Sequence, residues 1–222
     1  MFINVLYEDN HLLMVEKPIN IPVQADDSKD EVLLSMLKDY IKEKYNKPGK
    51  VYLGLVHRLD RPVGGAMVFA KTSKAASRLS NELRKHNFDR TYLAVVHGTP
   101  AKKQGELKDY LWKDRNKNIV YVVDSRRKEA KQAILDYKMI RNVEKKSLVE
   151  VQLRTGRSHQ IRVQFANQNL PLYGDQKYGQ HINKPGQQIA LWASHLSVKH
   201  PTKDEIISVE SIPSDGIWSH YL

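Results

Sequence analysis

Short apolar runs separated by polar turns occupy most of this chain, and only two stretches have helical spacing. Residues 5–7 and 12–15 are two such runs, and the turn-rich link at 8–11 predicts a strand pair. The remaining runs that predict strands are residues 52–56, 66–70, 90–98, 119–123, 133–140, 148–153, 189–197 and 206–209. Strands therefore outnumber helices, and their hairpin-like spacing favours antiparallel pairing.

Two segments instead repeat their apolar residues at intervals of three and four. Residues 30–45 predict an amphipathic helix with Ser28 or Asp30 as its N-cap. Residues 74–86 predict a second helix capped by Ser73. We therefore expect one α+β domain, with a mixed but mostly antiparallel sheet and helices flanking it.

Charge narrows the class of partner. The 222 residues include 36 Lys or Arg and 25 Asp or Glu, for a net charge of +11 and a pI near 9.6. This indicates a polyanionic partner, although charge alone does not separate nucleic acid from an acidic membrane surface. The absence of cysteine excludes disulfides, thiolate nucleophiles and zinc–thiolate sites. No apolar run of about 18 residues exists, and the N-terminus lacks a signal-peptide profile, so we expect a cytoplasmic protein.

The candidate chemistry lies between two predicted strands, at residues 57–65. There Asp60 stands between Arg58 and Arg61, and Pro62 and a pair of glycines follow. Proline fixes its own φ angle, and glycine allows positive φ or a close backbone approach, so the pattern predicts a shaped loop that presents one carboxylate. Taken alone, the same residues also suit a tight turn with a surface ion pair.

This loop resembles the active-site motif of the RluA family of RNA pseudouridine synthases. The similar residues are His-Arg-Leu-Asp at 57–60 and the strand ending Phe-Ala-Lys at 69–71. The family usually has Thr-Ser-Gly where this chain has Val-Gly-Gly at 63–65, so two hydroxyls are absent while the aspartate remains. The resemblance implies that Asp60 is the catalytic carboxylate.

Four further segments resemble the family in the same order along the chain. Residues 6–18 resemble its opening strand pair, and residues 172–179 resemble a later loop with Gly-Asp and Tyr-Gly. In the strand at 90–98, the resemblance places Tyr92 against a flipped base, although an ordinary half-buried strand tyrosine fits the same pattern. In the third motif, at residues 154–162, it pairs Arg162 with the catalytic aspartate.

The resemblance also implies RNA contacts around these motifs. Arg58 would fill the gap that a flipped base leaves in the RNA helix or hold a flanking phosphate, and the resemblance suggests the former. The other candidate RNA-binding residues are Arg61, Arg157, His159 and Gln160. On a helix, Ile161 and Phe165 would share one face, so that Arg162 points elsewhere. Asp175 is the obvious rival carboxylate, and we interpret it as a turn or hydrogen-bonding residue.

The segment 102–131 is the most basic and least regular part of the chain. A solvated hairpin face explains it adequately. Trp112, which lies close to Lys113 and Arg115, makes RNA contact an equal alternative, because interleaved aromatic and basic side chains suit bases and phosphates together.

The leading hypothesis is an isomerase that detaches uracil from its ribose in RNA and rejoins it through C5. Asp60 would attack C1′ or remove a ribose proton, and both routes stay open. The alternative is a non-catalytic RNA-binding or chaperone module on the same scaffold. A metal-dependent nuclease is disfavoured because the nine histidines form no helical His-x-x-x-His pair, and a glycosidase would need a second placed carboxylate.

The resemblance and the composition together imply how the protein works. We expect a single catalytic pseudouridine-synthase domain over residues 1–222, without an N-terminal S4-type module and with an RNA-binding cleft across its middle. We expect no cofactor and no metal. The expected partner is a tRNA or rRNA stem-loop, with no membrane and no obligate protein partner, and the expected state is a monomer.

Overall fold

The computed structural model describes residues 3–25 and 30–222. The chain forms two compact units: the first comprises Met1–Arg90 and Ala193–Ile212, and the second comprises Thr91–Trp192 and Pro213–Leu222. The sequence-based prediction of a single catalytic domain over residues 1–222 includes both units, and it stays a prediction. Each unit is described by itself.

Among its described residues, the first unit contains two helices, and a pair of strands precedes each of them along the chain. Its strands are β1 (Asn4–Glu8), β2 (Leu12–Lys17), β3 (Gly54–Leu55) and β4 (Gly64–Ala70), and its helices are α1 (Leu33–Lys44) and α2 (Ser73–Arg84). β2 pairs with β1 and with β4, β3 also pairs with β4, and all three pairings are antiparallel. Every residue of β4 is buried, which explains its uninterrupted apolar pattern.

The predicted helix caps are partly wrong. α1 begins after Val32, without a side-chain cap, so Asp30 is not its N-cap, and Ser28 lies outside the described residues. α2 is capped by Thr72, whose hydroxyl accepts a hydrogen bond from the Ala75 N–H at 3.2 Å, and not by Ser73. The cap therefore lies one residue earlier than predicted, because the extended backbone conformation that a cap needs occurs at Thr72.

The second unit contains an antiparallel sheet in the order β5-β9-β8-β6-β7. These strands are β5 (Asp89–His97), β6 (Gln104–Asp114), β7 (Ile119–Val123), β8 (Lys131–Val143) and β9 (Lys146–Leu153). Helix α3 (Gln160–Asn167) packs on β6 and β7, with Val163 among buried Leu111, Val120 and Ala133. A short 3-10 helix, Gly216–His220, packs Trp218 beside Leu93 and Val95.

The last two strands along the chain are β10 (Leu191–Lys199) and β11 (Ile206–Glu210). β10 begins in the second unit and continues in the first, where it pairs antiparallel with β11. The α+β class with a mostly antiparallel sheet is thus confirmed. Within residues 3–25 and 30–222, no helix has the length and apolarity needed to cross a membrane.

Candidate functional site

Asp60 lies in the loop that connects β3 to β4 in the first unit. The Val63 N–H donates to the Asp60 carbonyl at 3.0 Å and closes a turn over Arg61 and Pro62. The Asp60 side chain is half-buried. The loop therefore has the shaped backbone that the proline and glycine pattern predicts.

A buried lysine stabilises this loop by hydrogen bonds to its backbone carbonyls. Lys17, the last residue of β2, is 0% exposed, and its ammonium donates to the carbonyls of Pro18 (2.8 Å), Arg61 (2.9 Å) and Val63 (2.7 Å). Three acceptors match the three N–H donors of an ammonium. Burial lowers the pKa of Lys17 to about 7, and the charge of Asp60 opposes that change. Lys17 thus ties together the residues on the C-terminal side of Asp60.

The entrance to the loop is held by His57. Its Nε2 accepts the Val68 N–H at 3.1 Å, and its ring makes a T-shaped contact with the ring of Phe88. Burial, with the nearby charge of Arg90, lowers the pKa of His57 to about 3, so the ring is neutral at pH 7. β3 pairs with β4 at only two residues. Beyond this pairing, the Val68 N–H of β4 donates to the His57 imidazole and not to a backbone carbonyl.

The glycine at the end of the loop is required by close backbone approach. Gly65 has φ 113°, and a Cβ there would lie 2.3 Å from the Ala193 carbonyl oxygen. Val63, which stands where the RluA-type motif has threonine, is buried. The departure from the usual motif therefore places an apolar side chain in the interior, and the glycine that the backbone needs is retained.

The two arginines that flank Asp60 differ in their contacts. Arg58 is exposed. The Arg61 guanidinium pairs with Asp30 and donates from Nε to the Asn20 carbonyl at 3.2 Å. Arg61 therefore connects the loop to the segment before α1, and RNA binding by both arginines stays a prediction.

In the second unit, Arg162 forms a buried ion pair with Asp175. Its Nε and Nη2 donate to the two carboxylate oxygens, each at 2.8 Å, and the two side chains are 7% and 0% exposed. The guanidinium also lies 5.3 Å from the centre of the Tyr178 ring. Burial by itself raises the pKa of Asp175. The hydrogen bonds and charge of Arg162 lower this pKa by more than burial raises it, so the net pKa is below its ordinary value.

The loop after α3 is built to hold Asp175 in this position. Its carboxylate also accepts the Lys177 N–H at 2.8 Å and the Tyr178 N–H at 3.2 Å. The buried Asn183 amide accepts the Gly174 N–H and donates to the carbonyls of Leu172 and Asp175. The interpretation of Asp175 as a hydrogen-bonding residue agrees with these contacts, whereas no sequence signal indicates its arginine partner.

The third motif folds back on itself before α3. Gln160 is 3% exposed; its amide oxygen accepts from the Thr155 hydroxyl (2.8 Å) and the Arg157 N–H (2.9 Å). Arg157 Nε donates to the Gln132 carbonyl at 2.9 Å. These observed contacts shape the loop, and RNA binding by Arg157 and Gln160 stays a prediction.

His159 has a left-handed backbone conformation (φ 52°) immediately before α3. Its Nδ1 lies 2.6 Å from the Tyr178 hydroxyl, which also accepts the Val120 N–H. A non-glycine residue with positive φ is uncommon and is maintained by its surroundings. The contact with Tyr178 orients the imidazole, and RNA binding by His159 stays a prediction.

Burial on helix α3 is not confined to the face that carries Ile161 and Phe165. Residues 160–165 are all buried, including Arg162 and Gln164, which donates to Asp109 at 2.7 Å. Polar side chains on the far side of α3 are thus buried with polar partners, which an apolar stripe does not reveal.

Tyr92 lies on β5, opposite Val151 of β9, and is 7% exposed. Side chains alternate along strands, so Tyr92 shares a sheet face with Val151 and Tyr137, the face on which Phe165 of α3 packs. Tyr92 and Arg162 therefore belong to the same side of the second unit's sheet. Among the described residues, no group of three or more His, Cys, Asp or Glu side chains could hold a metal ion.

The first unit therefore contains a carboxylate loop held by buried Lys17 and by His57, and the second unit contains a buried arginine–aspartate pair. The family model described as RNA pseudouridylate synthase matches residues 11–167. The chain belongs to this family of isomerases, and the resemblance drawn from its motifs is confirmed.

Curated relatives cover most of the chain. It is 34% identical over 219 residues to the uncharacterized RNA pseudouridine synthase YhcT of Bacillus subtilis, covering 96% of this chain and 70% of that protein. It is 32% identical to the ribosomal large subunit pseudouridine synthase D of Zymomonas mobilis, covering 96% and 70%. It is 27% identical to the tRNA pseudouridine synthase C of Vibrio cholerae, covering 99% and 94%.

A solved structure shows the same fold. Human RNA pseudouridylate synthase domain containing 4 aligns with a TM-score of 0.79 at 22% identity, covering 94% of this chain and 87% of that one. This similarity confirms the fold class predicted from the sequence.

Proposed function

We propose that this protein converts specific uridines in tRNA or rRNA to pseudouridine, with Asp60 as the catalytic carboxylate. The observation that carries the proposal is the Asp60 loop, because its backbone is held by the buried Lys17 and by His57 in a chain of the RNA pseudouridylate synthase family. The tRNA and rRNA named for its relatives supply the two candidate substrate classes.

The reaction breaks the bond between uracil N1 and ribose C1′ and forms a bond between C5 and C1′; C5 loses a proton and N1 gains one, so the product is an isomer of the substrate. It is redox-neutral and needs one well-placed carboxylate, which attacks C1′ or removes a ribose proton. Tyr92 would support the flipped base, since aromatic faces hold unstacked bases at about 1–3 kcal/mol each. Arg162 would keep the catalytic aspartate ionised and oriented, which a double-mutant cycle between the two residues would test.

The proposal is tested by incubating the purified protein with protein-free tRNA and with rRNA fragments, followed by mapping of pseudouridine. Asp60→Asn, which preserves size, should lower the rate more than about a thousandfold. RNA affinity should change less than about twofold, because the lost group acts on bonds and not on phosphates. Asp39→Asn, an exposed aspartate on α1, is the matched control and should be active.

Formation of pseudouridine by Asp60→Asn at a normal rate would remove Asp60 from catalysis. RNA binding by the wild-type protein without pseudouridine in any tested RNA, and without loss of pseudouridine from cells that lack the protein, would instead support the non-catalytic alternative. Activity confined to assembled ribosomal subunits would contradict the expectation that a stem-loop suffices.

A further inference from the structure

An aromatic and cationic stack lies on the β6–β7 hairpin of the second unit. Trp112 of β6 and Tyr121 of β7 are directly opposite each other, with ring centres 6.1 Å apart and planes tilted by 27°. The Arg127 guanidinium lies 3.9 Å from the centre of the Trp112 ring. The cationic partner of Trp112 is thus Arg127; Lys113 alternates to the other face of β6, and Arg115 lies in the hairpin turn.

The backbone at Arg127 is fixed on both sides. The Arg127 N–H donates to the Asp124 carbonyl at 3.1 Å, and the Ala130 N–H donates to the Arg127 carbonyl at 3.0 Å. The Asp124 carboxylate binds the neighbouring Arg126 through its backbone N–H and its guanidinium. These two backbone hydrogen bonds fix the position of the Arg127 backbone within the loop.

The Arg127 guanidinium has no carboxylate partner in the part of the chain that the structure describes, and the residue is exposed. A guanidinium placed over an indole ring keeps N–H donors available to a planar or bidentate acceptor. Phosphate oxygens are such acceptors, and the pairing is charge-assisted. The surrounding segment, residues 102–131, has ten basic and five acidic side chains, so the local field also favours an anion.

The stack faces away from the side of the sheet that carries Tyr92. Tyr137 lies on the Tyr92 face and is opposite Gly105 of β6. Alternation then places odd-numbered residues of β6, such as buried Leu111, on that face and Trp112 on the other. An RNA that contacts the stack must therefore extend beyond the nucleotides around the base held by Tyr92.

We propose that the stack of Tyr121, Trp112 and Arg127 binds a backbone phosphate of the RNA substrate outside the target stem-loop. This inference rests on the proposed function, since the ligand is the same RNA. Its contribution is to affinity and to discrimination by RNA length, because a phosphate contact carries no base information. Trp112 holds the guanidinium in place, and Arg127 makes the contact.

The experiment compares a short uridine-containing hairpin with the same hairpin extended by a long duplex, using fluorescence anisotropy. Arg127→Ala should weaken binding of the extended RNA about fivefold at 0.1 M salt, about 1 kcal/mol at 1.4 kcal/mol per tenfold, and leave the short hairpin unchanged. The slope of log affinity against log salt should fall by about 0.9 for the duplex extension. Trp112→Leu should reproduce most of this loss.

Arg126→Ala is the matched control, because the adjacent arginine is already paired with Asp124, and it should bind the extended RNA nearly as the wild type does. Equal affinity of wild type and Arg127→Ala for the extended RNA would overturn the inference, as would an equal loss with both RNAs. Weaker binding of Arg127→Ala to phosphatidylglycerol vesicles but not to RNA would assign the stack to a membrane and also overturn it. These readouts need no isomerisation, so they are independent of a failure of the proposed reaction.

Discussion

Replacing Lys17 by methionine should separate catalysis from stability. Met has a similar length but no donors, so the carbonyls of Pro18, Arg61 and Val63 lose their shared partner. Two of these carbonyls belong to the loop that carries Asp60. The loop should therefore relax around the carboxylate while β2 and β4 remain paired.

The free energy of unfolding should change only modestly. The net lowering of the Lys17 pKa from 10.5 to about 7 means that keeping this ammonium charged in the folded protein costs about 5 kcal/mol, at 1.36 kcal/mol per unit. Three hydrogen bonds to a charged group are worth about 5–9 kcal/mol together. The substitution removes both contributions, so we expect a net loss of about 2 kcal/mol.

The catalytic rate should fall much more, because a displacement of about 1 Å at a reacting group can lower the rate about a hundredfold. Urea unfolding measures the stability change, and single-turnover formation of pseudouridine measures the rate. Lys71→Met is the matched control: Lys71 is also nearly buried, and it pairs with Glu8 at 2.7 Å. That variant should lose stability and keep its rate; a Lys17→Met enzyme with a rate within about threefold of wild type would refute the reasoning.

Two other substitutions have definite expectations. Asp175→Asn should lower kcat about tenfold to a hundredfold with little change in KM, because Arg162 loses its charged bidentate partner. The control Asp136→Asn disrupts the similar but exposed pair with Arg154, and its kcat should stay within about twofold of the wild-type value. Equal effects of the two substitutions would contradict a positioning role for Asp175. Burial of Glu8 raises its pKa, but hydrogen bonds from Lys44, Lys71, Tyr45 and Tyr40 lower it to a net value of about 2, so this carboxylate stabilises the fold fully above pH about 4.5 and loses that contribution as the pH falls toward 2. Glu8→Gln should therefore lower the free energy of unfolding by about 3 kcal/mol at pH 7, and a difference that persisted unchanged at pH 2 in denaturant titrations would show that the charge is not responsible.

Features that depend on neighbouring residues were predictable from the sequence. β7 lies at the predicted residues 119–123, and the β8–β9 hairpin and α2 lie close to theirs, because periodicity and turn chemistry are local properties. The class of the protein was predictable as well, since its motifs are contiguous and in order. The sequence does not predict β6, because the face that carries Leu107 and Leu111 also carries Asp109 and Lys113, so hydrophobic and polar residues do not alternate cleanly.

Contacts between distant residues were decided only by the tertiary structure. Nothing local indicates that the Lys17 ammonium meets carbonyls 44 and 46 residues away, or that Arg127 lies over Trp112. In the same way, Asp175 is recognisable as a turn residue, but its pairing with Arg162 arises when the loop after α3 returns to the helix. The hydrophobic pattern indicates which face of an element is buried. The partner of a buried polar group is determined by how the chain folds back, because most buried donors and acceptors are hydrogen-bonded to whatever packing places beside them.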